Sequence, residues 1–284
     1  MEKNVLNTNL SGKVAVVTGA GGVLCSAFAK VLARAGAKVA LLDRNFEAAD
    51  GYAKQIVEEG GVARAYACDV LDKDVCYAVA DEVCKDLGPC DILLNGAGGN
   101  NPRATTDKEY FEPGDLDGET KSFFDLDKSG VEFVFDLNFI GTLIPTQAFA
   151  RQMVGREGCS ILNVSSMNAY TPLTKIPAYS GAKAAVTNFT QWLAVHFSRA
   201  GIRVNAIAPG FFATKQNRAL LFNPDGSPTA RTGKILAATP MGRFGDSEKE
   251  LAGAVLFLLN NEAASFITGV TLPIDGGFSA YSGV

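Results

Sequence analysis

Short apolar runs rich in β-branched residues alternate along this chain with longer amphipathic stretches of helical length. Several of the runs are apolar on both faces, as strands are in a parallel sheet that helices cover on each side. The pattern therefore predicts an α/β fold, a doubly wound parallel sheet of the Rossmann type that forms a single domain over residues 1–284. The predicted strands are Lys13–Thr18, Lys38–Asp43, Ala63–Cys68, Asp91–Asn95, Ser160–Ser165, Arg203–Ile207 and Val270–Ile274.

Two of the helical stretches, Val131–Gln152 and Gly181–Ala200, are strongly apolar. The second carries Phe189, Trp192 and other apolar side chains around most of its circumference, so no more than one side of this helix can face water. We interpret it as a helix that packs against the sheet.

One interval departs from the alternation. Residues 100–130 are polar, rich in acidic residues and interrupted by Pro102, Pro113 and Gly114, which predicts a long excursion rather than a regular element. Such a segment is either a tolerated surface insertion or a loop that frames a site, and the rarity of long idle loops in compact domains favours the second. A later segment, about 211–240, is predicted to act as a lid.

Composition narrows the class of protein. Of the 284 residues, 47% are hydrophobic and 20% are charged, which suits one large globular domain. The net charge of -4 provides no general basic surface for nucleic acid or anionic membranes. No apolar run approaches the roughly eighteen residues that span a bilayer, and the opening residues do not resemble a secretion signal.

The six cysteines form no C-x-x-C pair, and the chain has a single histidine, so the sequence predicts no metal site. We expect reduced and mostly buried thiols, which are typical of the cytoplasm. The sequence thus indicates a soluble, cytoplasmic protein.

A glycine-rich turn, Thr18–Cys25, follows the first predicted strand and leads directly into a helical pattern. Glycines at 19, 21 and 22 allow backbone amides to approach a phosphate, which the positive end of a helix favours. A purely structural turn between strand and helix is the alternative. The turn predicts a dinucleotide site.

Asp43 ends the second predicted strand, where a carboxylate can accept hydrogen bonds from the hydroxyls of an adenosine ribose. A carboxylate there repels a ribose phosphate and favours NAD as the cofactor. Arg44 follows immediately and could pair with such a phosphate, so NADP is the alternative. Asp43 could also serve only to cap the next helix.

Tyr179 and Lys183 are four residues apart in a helical stretch and therefore share one face of the helix. A nearby ammonium favours the ionised phenol and lowers its pKa, which allows a tyrosine to act as a general acid or base. On this spacing alone, a solvated pair or a packing contact is the alternative.

In their order and spacing, these motifs resemble the short-chain dehydrogenase/reductase family over essentially the whole chain. The marks that carry the resemblance are TGAGGVLC at 18–25, Asp69 with Val70, Asn95–Gly98, Asn138, Ser166, Tyr179 with Lys183, and Pro209 with Gly210. The resemblance implies an enzyme, an NAD(P)-dependent oxidoreductase that acts on a CH–OH group.

The resemblance implies four catalytic residues: Asn138, Ser166, Tyr179 and Lys183. Tyr179 would exchange a proton with the substrate oxygen, to which Ser166 also bonds. Lys183 would lower the pKa of Tyr179 and bind the nicotinamide ribose, and Asn138 would hold a water in a proton relay. Ser166 is chosen over Ser165 because it lies thirteen residues before Tyr179, the spacing of the family.

The resemblance also implies a set of cofactor-binding residues along the carboxyl ends of the strands. They are Gly19, Gly21, Gly22, Val23, Leu24, Asp43, Arg44, Asp69, Val70, Asn95, Gly96, Ala97, Gly98, Tyr179, Lys183, Pro209, Gly210, Phe212 and Thr214.

The chain departs from the family pattern at two places. The last two glycines of T-G-x-x-x-G-x-G are replaced by Val23 and Cys25, with glycines at 21 and 22 instead. Asn95 is followed by Gly96 where the family usually has a second asparagine. We expect cofactor binding to survive with a shifted turn.

Segments 98–106 and 209–218 resemble the sugar-acid branch of the family, which includes D-mannonate oxidoreductases, also called fructuronate reductases. A basic side chain can hold the carboxylate of such a substrate, and polar side chains can bond its hydroxyls. The predicted substrate residues are Arg103, Asn168, Lys215 and Arg218, with Lys175 as a further basic candidate. The favoured reaction is hydride transfer between NAD(H) and the pair D-fructuronate and D-mannonate.

Three alternatives stand beside this reaction. A gluconate 5-dehydrogenase or another polyol dehydrogenase would use the same catalytic residues. A 3-oxoacyl carrier-protein reductase is disfavoured by Asp43 and by the negative net charge. A non-catalytic regulator that senses dinucleotide is disfavoured by the complete catalytic set.

The resemblance further implies a homodimer or homotetramer. The two apolar helices, Val131–Gln152 and Gly181–Ala200, would form one interface between subunits, and Asp275–Phe278 would join a second.

Overall fold

The computed structural model describes residues 7–213 and 218–283. Its strands form one parallel sheet in the order β3-β2-β1-β4-β5-β6-β7. The strands are β1 Val14–Thr18, β2 Lys38–Asp43, β3 Val62–Ala67, β4 Ile92–Asn95, β5 Cys159–Val164, β6 Ile202–Pro209 and β7 Thr271–Ile274. Each overlaps one predicted strand to within two residues at either end, so the predicted Rossmann-type sheet is confirmed.

Helices cover both faces of this sheet. They are α1 Val23–Arg34, α2 Phe46–Glu58, α3 Lys73–Asp86, α4 Lys128–Phe135, α5 Gly141–Ala150, α6 Pro177–His196, α7 Arg218–Leu221, α8 Ala230–Ala237 and α9 Ala252–Leu259. Polar side chains set where α2, α3 and α4 begin, because Asn45, Asp72 and Asp127 each accept a hydrogen bond from a backbone N–H of the first turn.

The hydrophobic core lies in two layers, one on each face of the sheet. On one face α1, α2 and α9 contribute Phe28, Ile56 and Val255 to a cluster with the strands. On the other face α3, α5 and α6 pack against the sheet through buried side chains such as Phe149 and Leu193. The carboxyl ends of the strands are thereby left as the open edge, where parallel sheets bind ligands.

The predicted helix at Val131–Gln152 is divided. A π-helical turn, Asp136–Ile140, separates α4 from α5. From Lys128 to Ala150 the chain is long and apolar enough to span a membrane by length and composition, contrary to the sequence analysis, but 56% of the apolar window is buried in the fold. We therefore describe it as a core helix.

The interval 100–130 is an excursion of short turns. Three 3₁₀ turns, Pro102–Ala104, Pro113–Leu116 and Phe123–Asp125, precede α4. Ala104 is fully buried in a small cluster with Val134 of α4 and Ala178 and Ala182 of α6. The base of the excursion is therefore fixed beside α6, which carries the predicted catalytic tyrosine.

Candidate active site

The glycine-rich turn between β1 and α1 lies against the end of β4. Gly19 has a φ of +67° and approaches so closely that a Cβ on it would lie 2.8 Å from the Ala97 Cα. The Gly21 N–H donates to Asp43 Oδ2 at 2.9 Å, and Gly22 is the N-cap of α1. The shifted glycines thus form a tight turn that aims the start of α1 at the open edge of the sheet.

Asp43 lies at the end of β2, half-buried, with its carboxylate between two turns. Its other oxygen, Oδ1, accepts a hydrogen bond from the Asn45 N–H at 2.8 Å. Arg44 is exposed. The carboxylate therefore fixes the local backbone, and it also lines the neighbouring cleft, where it can accept hydrogen bonds from a ligand hydroxyl.

A cleft of about 520 Å³ opens along the carboxyl ends of β1, β2, β3 and β4. Of the predicted cofactor residues it is lined by Gly19, Gly21, Gly22, Val23, Leu24, Asp43, Arg44, Asp69, Val70, Gly96, Ala97 and Gly98. Glycines that leave no room for a side chain, a helix N-terminus and a carboxylate fit a dinucleotide.

Several cleft residues were not predicted from the sequence. They are Cys25, Asn45, Ala48, Cys68, Leu71, Phe133 and Leu137. Most are direct neighbours in sequence of a predicted residue, so extending each predicted segment by one residue at its ends would have included them. Phe133 and Leu137 are four apart on the helix that carries Asn138, and that spacing was the signal available for them.

The side chain of Asn95 does not line this cleft but joins a buried network. Its Nδ2 donates to Thr146 Oγ1 and to Asn163 Oδ1, each at 2.9 Å. Asn163 in turn donates to Thr190 of α6 at 2.9 Å. These bonds tie β4 and β5 to α5 and α6, so Asn95 supports the floor of the cleft from below.

Pro209 and Gly210 end β6 beside β7. A Cβ on Gly210 would lie 2.5 Å from the Asp275 Cα, so only glycine fits there. Phe212 is buried and pairs with Gly245 across an isolated bridge. Thr214, predicted to contact the cofactor, lies outside the described residues.

Tyr179 and Lys183 both lie in α6, which begins at Pro177, four residues earlier than predicted. Proline suits this first turn, where its missing N–H costs no hydrogen bond. The Lys183 Nζ lies 5.7 Å from the centre of the Tyr179 ring and donates to the Val164 carbonyl at 2.8 Å. Because Lys183 is buried, its pKa falls to about 8.

The electrostatics of Tyr179 differ from the prediction. Burial raises the pKa of the phenol, and a hydrogen bond with Ser166 partly lowers it again. The predicted lowering of the Tyr179 pKa by Lys183 is therefore not found, and desolvation disfavours the charged form of both side chains.

The two adjacent serines have different partners. The Ser165 hydroxyl lies 2.7 Å from the Thr187 hydroxyl and donates to the Lys183 carbonyl at 3.1 Å, so it holds β5 against α6. The Ser166 hydroxyl faces Tyr179 and accepts a hydrogen bond from the Asn168 N–H at 3.2 Å. Of the two, Ser166 can reach the oxygen to which Tyr179 bonds.

Asn138 lies within the π-helical turn and is fully buried. Its Nδ2 donates to the carbonyls of Val134 and Gly99, each at 2.7 Å, and its Oδ1 accepts from the Gly99 N–H at 3.2 Å. A Cβ on Gly98 would lie 2.6 Å from Asn138 Oδ1 and 3.1 Å from Lys183 Nζ. The cleft floor, Asn138 and Lys183 therefore meet at one point, and π-turns often mark such sites.

The predicted substrate residues are less closely grouped. Arg103 is exposed and donates to Ser129 at 3.0 Å, beside the cap of α4. Arg218 stacks over the Phe222 ring at 5.4 Å. Lys215 lies outside the described residues. Lys175, just before α6, donates to the Asp107 carbonyl of the excursion.

Asn168 is buried two residues after Ser166. Among the residues that the structure describes, its Oδ1 has no hydrogen-bond partner. An unpaired buried acceptor costs roughly 1–3 kcal/mol, and a ligand hydroxyl can satisfy it.

An ion pair connects the excursion to the segment predicted as a lid. Lys234 Nζ of α8 lies 2.6 Å from Glu109 Oε1 of the excursion. Lys175 is near enough to help lower the pKa of Glu109. The excursion, α8 and the start of α6 thus meet on the side of the fold that carries Tyr179.

Known proteins resemble this chain over nearly its whole length. The family model for short chain dehydrogenases matches residues 13–223. An uncharacterized oxidoreductase of Haemophilus influenzae is 62% identical over 98% of this chain and 97% of its own.

Two solved structures extend the comparison. One, from Haemophilus influenzae with bound NAD, is provisionally assigned as a D-mannonate oxidoreductase; it is 61% identical over 99% of each chain, with a TM-score of 0.94. A gluconate 5-dehydrogenase from Burkholderia cenocepacia, in complex with NADP and tartrate, is 32% identical over 98% of this chain and 99% of that chain, with a TM-score of 0.80.

Proposed function

This chain belongs to the short-chain dehydrogenase family and is an oxidoreductase, and we propose that it transfers a hydride between NAD(H) and a six-carbon sugar acid. The favoured pair is D-fructuronate and D-mannonate. The observation that carries the proposal is the group of Asn138, Ser166 and Lys183, which are buried, with half-buried Tyr179, next to Gly98 of the cleft.

We propose that the cleft holds NAD in preference to NADP. The half-buried Asp43 carboxylate would accept hydrogen bonds from the adenosine ribose and would repel a ribose phosphate. The bound NAD of the relative at 61% identity supports this choice. NADP in the gluconate 5-dehydrogenase keeps the alternative open, and exposed Arg44 is the residue that would favour it.

Oxidation of a CH–OH group removes a hydride from carbon, which bound NAD accepts, and a proton from oxygen. In reduction Tyr179, which carries its proton, would give it to the carbonyl oxygen; in oxidation Tyr179 would take the alcohol proton after its own proton has left. Ser166 would hydrogen-bond the same oxygen and hold it near the phenol. Buried Lys183 would bind the nicotinamide ribose and supply positive charge as the phenol loses its proton.

Asn138 would act by position. Both N–H groups of its amide donate to the carbonyls of Gly99 and Val134, and these bonds hold the cleft floor beside the Lys183 ammonium. The predicted proton-relay water would therefore donate to the amide oxygen or bond to the backbone, and would not accept from this amide.

The sugar-acid assignment has two supports besides the relative. The unpaired Asn168 Oδ1 suits a substrate with a hydroxyl close to the reacting carbon. Lys175 donates to a backbone carbonyl rather than to a carboxylate, so its ammonium group can form an ion pair with the substrate carboxylate. Arg103, Lys215 and Arg218 remain further candidates for that carboxylate, and residues 211–240 would close over the substrate as a lid.

Initial rates with a panel of carbonyl compounds test the proposal. We expect strong oxidation of NADH with D-fructuronate, and weak activity with 5-keto-D-gluconate and with an acetoacetyl thioester. A preference for 5-keto-D-gluconate would make the chain a gluconate 5-dehydrogenase, with the same catalytic residues. Failure of every compound with both NADH and NADPH would contradict the proposed enzyme and favour a dinucleotide-binding regulator.

We also propose that the enzyme assembles as a homodimer or homotetramer in the cytoplasm. Leu143, Val154, Trp192 and His196 line an apolar groove on the outer face of α5 and α6. Trp192 is 56% exposed in the single chain, and a large exposed aromatic of this kind is typical of an interface. The six cysteines are all unpaired, in keeping with a reducing compartment.

A further inference from the structure

Cys25 and Gly96 lie against each other at the centre of the cleft. A Cβ built on Gly96 would lie 2.2 Å from the Cys25 Sγ, far inside any normal contact. The other near atoms, the Thr18 carbonyl oxygen at 3.1 Å and Leu94 Cδ2 at 3.3 Å, would be tight contacts that a shift of a few tenths of an ångström relieves. The sulfur is therefore the atom that forbids a side chain at position 96.

These two positions are also the places where the chain departs from the family pattern, with cysteine in place of a glycine and glycine in place of an asparagine. The structure brings the two departures into direct contact. Cys25 is larger than the glycine of the family pattern, and Gly96 is smaller than its asparagine. The two changes in volume compensate each other, as a tightly packed interior requires.

We propose that Cys25 is a positioning residue of the cofactor cleft and that its thiol and Gly96 form one interlocking pair. The thiol fills the space above Gly96 and sets the distance between the first turn of α1 and the floor Gly96–Gly98. The Gly96 N–H donates to Thr18 Oγ1 at 3.1 Å, so a displaced position 96 would also disturb the end of β1. This inference depends on the proposed function for its effect on cofactor binding.

The environment of the thiol suits a packing role rather than a reactive one. Cys25 is buried, and burial raises its pKa to about 12, so the sulfur stays neutral. Its nearest charges are Lys183 on one side and Asp43 on the other. The thiol thus lies between the part of the cleft near Lys183 and the part near Asp43, so a small displacement of the sulfur would affect both parts.

A double-variant cycle tests the pair, with the dissociation constant for NADH and the thermal midpoint measured for each protein. Gly96→Ala should weaken NADH binding at least about tenfold, because its Cβ overlaps the sulfur. Adding Cys25→Ala removes the sulfur and keeps the helix, so the double variant should bind within about threefold of Cys25→Ala alone. Gly51→Ala, whose Cβ would meet nothing within 4 Å on α2, is the matched control.

Kinetics separate positioning from general damage. We expect Gly96→Ala to raise KM for NADH while kcat at saturation stays within about twofold, because Tyr179 and Ser166 do not touch the pair. A double variant that binds as weakly as Gly96→Ala, or a Gly96→Ala protein that binds as the wild type does, overturns the inference. If Gly96→Ala fails to fold, folding of the double variant supports the pair and its failure to fold contradicts it.

The wild-type protein distinguishes this inference from the proposed function. If it binds neither NADH nor NADPH, the proposed function fails. The thermal midpoints of the wild type, the two single variants and the double variant, measured without ligand, then test the interlocking pair independently. A double variant with a higher midpoint than Gly96→Ala supports the pair, and one with an equal or lower midpoint contradicts it.

Discussion

Tyr179 and Lys183 illustrate how burial, rather than spacing, sets the charge of a residue. Both side chains leave water when the chain folds, so the phenol pKa rises and the ammonium pKa falls. The sequence showed that the two are one helical turn apart, but it carried no information on how dry their surroundings are. Any ligand that brings charge or hydrogen bonds into this pocket will therefore change both protonation states.

The lysine makes a direct prediction about pH. In protein labelled with ¹³C at lysine Cε, one resonance should titrate near pH 8, and it should be absent from Lys183→Met. Because the folded pKa lies below the ordinary 10.5, ionised Lys183 destabilises the fold below pH 8. This cost, roughly 3 kcal/mol, should disappear as the pH rises from 8 to 10.5. A Lys183 resonance that titrates above pH 10 would contradict the desolvated environment.

Removal of one oxygen tests the role of the tyrosine. Tyr179→Phe should lower kcat by about 10²- to 10⁴-fold, because the phenol is the proposed proton donor and acceptor. NADH binding measured by fluorescence should change little, since the ring and its contact with Lys183 remain. Tyr170→Phe, which removes only a hydroxyl bonded to the Thr271 carbonyl, is the control and should retain turnover. Comparable activity in both variants would exclude Tyr179 as the acid.

Asn138 offers a test of positioning. Asn138→Asp replaces an amide that donates to two carbonyls with a group that, when ionised, donates to neither. Each lost donor should cost about 1–3 kcal/mol in the free energy of unfolding, measured by urea denaturation. The matched Asn188→Asp change lies on α6 in the same layer of helices, where Asn188 is exposed, and it should be nearly neutral. Equal midpoints for the two variants would show that the Gly99 contacts carry little energy.

At the scale of elements, regular strands were predictable and irregular helices were not. Short β-branched runs located the seven strands that the structure describes, and several of these runs are apolar on both faces because burial on two sides leaves no polar alternation. The division of the long helix at Asp136–Ile140 had no signal in its apolar pattern, since a π-turn inserts one residue without changing hydrophobicity. Proline and glycine did predict that 100–130 lacks regular structure.

The contact between the excursion and α8 makes a prediction for Glu109→Gln. The pair with Lys234 is largely exposed, so its loss should change the stability of the fold very little. If it helps to hold the lid over the substrate, KM for the sugar acid should rise up to about fivefold with kcat unchanged. Glu59→Gln, which breaks the exposed pair with Arg34, is the matched control. An unchanged KM would show that the pair does not hold a lid.

For the whole molecule, the sequence predicted the layers and the edge that carries the site, because parallel strands bring their carboxyl ends together. It could not locate the buried side chains around each predicted group. Asn95 was expected at the cofactor and instead lies in a network with Thr146 and Asn163. Arg103, a candidate for the substrate carboxylate, is exposed and donates to Ser129, a contact that the sequence did not predict. A motif identifies which segments meet, and the direction of each side chain depends on the packing of the finished fold.

The outer face of α5 and α6 makes the last prediction. In water an exposed groove with Trp192 stacked on His196 at 4.6 Å would be costly for a single chain, so we expect a second copy to cover it. Trp192→Glu would place a charge in that interface and should weaken association at least about thirtyfold, measured by sedimentation equilibrium. Val57→Glu on α2, in the opposite layer and 52% exposed, should leave association unchanged. A wild-type protein that sediments as a monomer at micromolar concentration would contradict the proposed assembly, and the groove would then need another occupant.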